Sequence, residues 1–155
     1  MNHIKNTIFL VLLFVTFSIS ADTLLSKSSV NELMDNIQEA VHAQDVEALS
    51  SFFTEDASII VEMPKNMGGT LKLKTDQYKE MLRQSWAMSA KYTYDVKNIE
   101  IKISQDKKSA TVTDLTIETV EMMGQTIKSK SYETMNVIIS GGTPKINNLY
   151  GKIEL

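Results

Sequence analysis

The sequence predicts an α+β domain in which a curved antiparallel sheet wraps around N-terminal helices. Three observations carry that expectation. Apolar residues recur every three or four positions over 30–53 and again over 78–89, the spacing of one buried helix face. From Lys91 onward they recur every second position in four long runs separated by short polar or glycine-containing breaks, which describes strands joined by hairpins. Two of those runs also change phase midway, and a strand can keep one face buried across such a change only by inserting an extra residue, which bends the sheet.

Taken in order, Ser29 and Glu32 have capping-box spacing, and Val30, Leu33, Met34, Ile37 and Val41 mark one face of a helix reaching about Gln44. Asp45 is placed to cap a second helix carrying Val46, Leu49 and Phe53, and Thr54-Glu55-Asp56 breaks that period. A strand over Ser58 to Met63, a turn over Pro64 to Gly69 and a returning strand over Thr70 to Leu73 form a small hairpin. Thr75 or Asp76 then starts a third helix whose Tyr78, Met81, Leu82, Ser85, Trp86 and Ser89 share a face. The four long strands follow near Lys91–Ser104, Ser109–Met122, Gln125–Ile139 and Ile146–Leu155. Tyr92, Tyr94 and Val96 give way to Ile99, Ile101 and Ile103, and Ala110 and Val112 to Leu115 and Ile117, so bulges are expected near Lys97-Asn98 and Thr113-Asp114.

The first twenty residues stand apart. Lys5 precedes an apolar run from Thr7 to Phe17, and Ser18-Ile19-Ser20-Ala21 offers small residues to a signal peptidase, so residues 1–20 read as a cleaved secretory signal and 21–155 as one domain. The expected location is periplasmic or secreted, with no integral membrane span left after cleavage. The chain carries 16 basic and 19 acidic groups; its only adjacent basic pair is Lys107-Lys108, which argues against nucleic acid as a partner. It has no cysteine, which removes thiol chemistry, disulfides and thiolate-bound metal. After cleavage His42 is the only histidine, and a lone imidazole is a thin basis for a metal site or a Ser-His-Asp triad. No metal and no cofactor is expected.

Two helices, a hairpin, a third helix and a long antiparallel meander is an order that resembles the nuclear transport factor 2-like (NTF2-like) superfamily, with its cystatin-like α+β cone, its SnoaL-like proteins and its ketosteroid isomerases. The most specific match is Asp45–Ser58, DVEALSSFFTEDAS, and Trp86 and Leu149-Tyr150-Gly151 add to it. In the isomerase branch the resemblance implies a base just before a proline in the first strand, where this chain has Met63, and a tyrosine donor on the first helix, where it has Ile37. A protonated acid on the penultimate strand is matched by Glu133. That residue shares the phase of Ile127, Met135, Val137 and Ile139, so its strand turns it toward the apolar side, where lost hydration raises a carboxyl pKa.

The expected site is a conical pocket lined by Glu133, Trp86, Tyr94, Tyr132, Met63 and Met135. With hydrocarbon at two of the three positions that the resemblance makes catalytic, the first expectation is binding of a small apolar or amphipathic molecule, or of a protein partner, without turnover. The alternative is a SnoaL-like isomerase, dehydratase or hydrolase using Glu133 as acid or base, assisted by Tyr94 or Tyr132. A homodimer through the outer sheet face, at Thr111, Thr113, Thr116, Lys128, Lys130, Thr134 and Asn136, is the structural reading.

Overall fold

The computed structural model describes residues 24–155; the proposed signal over 1–20 lies outside them. Helix α1 spans Lys27–His42, and every residue of its expected apolar face is buried. Its cap lies three residues earlier than the sequence suggests. Ser26 accepts from the Ser29 backbone at 3.1 Å while the Ser29 hydroxyl accepts from the Ser26 backbone at 3.0 Å, so Ser29 closes the box rather than opening it with Glu32. Asp45 caps the short helix α2, Val46–Ser51, through Oδ1 on the Ala48 backbone at 2.9 Å.

Strand β1 runs over Phe53–Glu62. Phe53 is therefore a strand residue, not the last apolar position of α2. A single 3-10 turn at Lys65–Met67 leads to β2, Thr70–Leu73, and then to α3, Thr75–Met88. At the start of α3 the Gln77 side chain accepts from the Lys74 backbone at 2.9 Å and the Thr75 hydroxyl donates to the Thr54 carbonyl at 2.6 Å. Thr75 thus ties the helix to β1 instead of capping it. The meander consists of β3 (Lys91–Ile103), β4 (Ser109–Met122), β5 (Gln125–Ser140) and β6 (Thr143–Glu154). Tight hairpins join the last three: Met123-Gly124 and Gly141-Gly142 all have positive φ, the backbone that two-residue turns require to match strand twist.

The six strands lie in the order β2-β1-β6-β5-β4-β3, with β1 parallel to β6 and all other neighbours antiparallel. The sheet is thus mixed, a correction to the purely antiparallel expectation. The bulge near Lys97-Asn98 is present: two residues of β3, Asn98 and Ile99, stand opposite Asp114 alone, and Asn98 has φ 54°. Ile99 sits in that bulge and is exposed rather than inward. The second expected bulge is absent, because β4 pairs with β5 without interruption from Ser109 to Met122. An unpredicted one lies in β6, where Asn147 is the extra residue and its side chain accepts from Asn136 at 2.7 Å.

The helices cover one face of the sheet. Between the layers Ala57, Ile59, Ala110, Val112, Met135, Val137, Ile146 and Leu149 meet Val30, Leu33, Met34 and Ile37. No helix among the described residues is long and apolar enough to cross a membrane. Ile59 has no exposed surface, so Ile59→Ala should cost about 2–5 kcal/mol by chemical denaturation; a cost below about 1 kcal/mol would show that these layers pack loosely.

Candidate functional site

The site grows out of β4. Its inward phase begins with Ala110 and Val112 and continues, unbroken, as Asp114, Thr116 and Glu118. The apolar pair Leu115 and Ile117 consequently faces outward, half-buried. What changes midway along β4 is the chemistry of the inner face, not the side of the strand. The register places Glu133 of β5 opposite Asp114, Ser131 opposite Thr116, and Tyr94 of β3 opposite Glu118. A polar band therefore crosses the interior above an apolar floor.

Gly151 of β6 lies opposite Glu133 on the other side. A methyl group there would come within 3.3 Å of the Ser131 hydroxyl and 3.9 Å of the Glu133 side chain. The missing side chain spares the Ser131 hydroxyl a tight contact, while the distance to Glu133 would be an ordinary one. Around it is a cavity of about 60 Å³, walled by Tyr78, Leu82 and Trp86 from α3, Tyr92 and Tyr94 from β3, Ile37 and Val41 from α1, and Glu118, Glu133 and Met135 from the sheet. Trp86 meets Tyr92 edge-on at 6.2 Å, and His42, exposed at the end of α1, meets Tyr94 at 5.9 Å.

The acids share this space without a positive side chain on the cavity wall. Burial raises Glu133 to about 8, with the charges of Asp114 and Glu118 adding to the rise and the Ser131 hydroxyl opposing it. Burial likewise raises Asp114 to about 6, tempered by the neighbouring Thr116 hydroxyl. Neither oxygen of Asp114, which is 7% exposed, has a hydrogen-bond partner, and neither does the Thr116 hydroxyl. Glu118 is raised by burial but held down by Tyr92, whose hydroxyl donates to it at 2.8 Å. Desolvation keeps Tyr78, Tyr92 and Tyr94 well above the ordinary phenol range, so all three remain neutral donors. Among the described residues no group of three or more His, Cys, Asp or Glu side chains is arranged to hold a metal ion.

Of the residues expected from sequence, Glu133, Trp86, Tyr94 and Met135 meet on this wall. Tyr132 does not: it occupies the outward phase of β5 and is 47% exposed. Met63 follows the last residue of β1, beside Gly68, and lines a separate depression with Pro64, Lys152 and Ile153. Thr116, expected on the outer face, is completely buried, and Ser85 is exposed on α3. Asp114, Glu118, Tyr78 and Tyr92 were missed as site residues. The signal that could have found them is the even spacing of Asp114, Thr116 and Glu118 after Ala110 and Val112. A larger groove of about 500 Å³ lies outside the cone between α1 and the β5–β6 hairpin, but it gathers no buried polar side chain.

The fold is that of the NTF2-like superfamily, the class to which SnoaL-like proteins also belong. An NTF2-like protein from Cytophaga hutchinsonii superposes with a TM-score of 0.66 at 14% identity over 84% of this chain and all of that one. A conserved protein from Planctomyces limnophilus gives 0.70 at 14% over 82% and 94%, and the hexachlorocyclohexane dehydrochlorinase LinA-type3 from Novosphingobium barchaimii gives 0.66 at 14% over 83% and 86%. No protein-family model and no curated protein matches the chain. At these identities the likeness carries the fold, which here includes both an enzyme and proteins of no stated activity.

Glu133 makes the site measurable through stability. Its carboxyl titrates near 4.5 when exposed and at about 8 in the folded chain, so between those values the native state holds a proton that the unfolded state has released. Stability then falls as pH rises through that window and levels off above it. Asp114 contributes with the same sign between 3.8 and about 6. Glu133→Gln should flatten the decline, leaving the variant more stable than the parent at pH 8, with the gap closing toward pH 5 in urea denaturation. Parallel curves for the two chains would mean that Glu133 is not a buried neutral acid.

Proposed function

We propose that this is an exported cone-fold protein that binds a small ligand in the cavity at Glu133 without turning it over. The observation that carries the reading is a narrow chamber where half-buried acids and tyrosine hydroxyls converge with no lysine, arginine or histidine on the wall, an arrangement that costs folding stability and is typical of functional sites. Ile37 lines this chamber where the isomerase resemblance would need a donor, and Met63, at the position of the base, lies outside it.

The chamber revises the size of the expected ligand. Pockets for drug-sized molecules run to roughly 300–1,000 Å³, whereas this one is about 60 Å³. A ligand of a few heavy atoms fits; a steroid or a fatty chain does not. Export is supported by the leader pattern over residues 1–20. It requires a mature chain beginning near Ala21, to be read by intact mass from the periplasmic fraction or the medium of expressing cells.

One observation favours a second reading, acid–base catalysis of the isomerase or dehydratase kind. Glu133 and Glu118 line a single cavity with Tyr92 and Tyr94, so two titratable groups converge as such chemistry requires. A ligand screen by thermal shift and protein NMR, followed by product analysis with each binder, separates the two. Binding that perturbs the Trp86 indole and Glu133→Gln abolishes, with the ligand recovered unchanged, supports binding; conversion lost in Glu133→Gln supports catalysis. A screen in which no small molecule perturbs Trp86 defeats both.

A further inference from the structure

We infer that the ligand of the cone is a small organic cation, an alkylated ammonium group seated against the aromatic wall and facing the carboxyl groups. The inference rests on the reading of the cavity as a binding site and adds the chemical class of what it takes.

Two independent features of the wall converge on that class. The first is aromatic. Trp86 and Tyr92 meet edge to face rather than stacking on each other, with centroids 6.2 Å apart, and Tyr78 and Tyr94 complete that side. Ring faces carry negative electrostatic potential and attract an ammonium group, most strongly where water is excluded, and indole is the best of them. The second is charge. Glu118 and Glu133 are on the wall and Asp114 stands beside Glu133 in the same inward row. Both oxygens of Asp114 are buried and unpartnered. Buried carboxyl groups are ordinarily paired, yet no lysine, arginine or histidine lines this cavity. A cation entering the cavity would therefore meet carboxyl groups with no competing positive side chain on the wall.

Competing classes fit less well. A bare metal ion needs several oxygen ligands converging on one point, and the described acids do not form such a group. An anion would find no lysine, arginine or histidine on the wall and two carboxyl groups instead. A purely apolar molecule leaves both oxygens of Asp114 as unsatisfied as before. An alkylammonium group answers both halves of the wall at once, with its positive charge for the acids and its methyl groups for the rings, and its few heavy atoms suit about 60 Å³.

The test uses the mature chain, residues 21–155, at pH 7.5 with methylammonium, trimethylammonium and choline. The controls are the neutral isosteres tert-butanol and 3,3-dimethylbutan-1-ol, and acetate. Binding is followed by calorimetry and by the Trp86 indole resonance. At least one cation should bind about tenfold or more tightly than its neutral isostere and shift the Trp86 signal. Trp86→Leu and Glu118→Gln should each weaken it about tenfold while Trp86→Phe recovers part of the loss. Variants are first compared by circular dichroism; should Trp86→Leu fail to fold, the Trp86→Phe and Glu118→Gln pair carries the comparison. Equal affinity for cation and isostere, or no cation bound, overturns the inference. If a neutral molecule binds at Trp86 instead, the pocket reading survives while the cationic class falls; if nothing perturbs Trp86, both fall.

Discussion

Asp114 and Glu133 face each other across β4 and β5 inside the cone, in a space that offers them no positive partner. Each loses hydration on folding, and each makes ionisation of the other harder, so the pair accommodates burial by keeping a proton where an exposed carboxyl would have none. The rest of the interior is organised around tolerating them. Ser131 gives Glu133 a hydroxyl, Gly151 leaves that hydroxyl uncrowded, Tyr92 occupies Glu118, and the apolar layers under Val112 and Met135 supply the stability that this polar band subtracts.

That arrangement also explains why an NTF2-like cone can be structurally ordinary and chemically particular. Its floor is closed by Ile59, Val112, Val137 and Ile146, and its upper half is lined by rings and acids. Fold likeness to an enzyme such as the dehydrochlorinase is a likeness of the frame as a whole. What sets this cone apart is its upper half, built from side chains that the frame leaves free to vary.

Much of this was legible in the sequence because it was local. The α1 face, the Asp45 cap, the bulge at Asn98 and the inward turn of Glu133 all follow from the spacing of neighbouring residues. Three features were not. The parallel pairing of β1 with β6 joins Val61 to Gly151, and no local pattern records a partner ninety residues away. The lining of β4 was misread because apolar side chains were assumed to mark the inside: Leu115 and Ile117 were turned inward, and Asp114 was assigned to a bulge. Along a strand, geometry alternates regardless of polarity, so the polar residues at even positions were the true continuation of Ala110 and Val112. Tyr132 and Met63 failed as cavity residues for related reasons. Tyr132 is one residue out of phase with Glu133, and Met63 lies just past the end of β1.

The central position of β6 carries a consequence for how the chain assembles. β1 can form its hairpin with β2 early, and β3, β4 and β5 can zip together through their own short turns, but these halves meet only when the final strand slots between them, with β1 on one side and β5 on the other. Closing a loop of that length is entropically slow. The chamber's walls come from both halves, so no partially assembled chain owns even a crude version of it: the enclosure arrives all at once, with the last stitch.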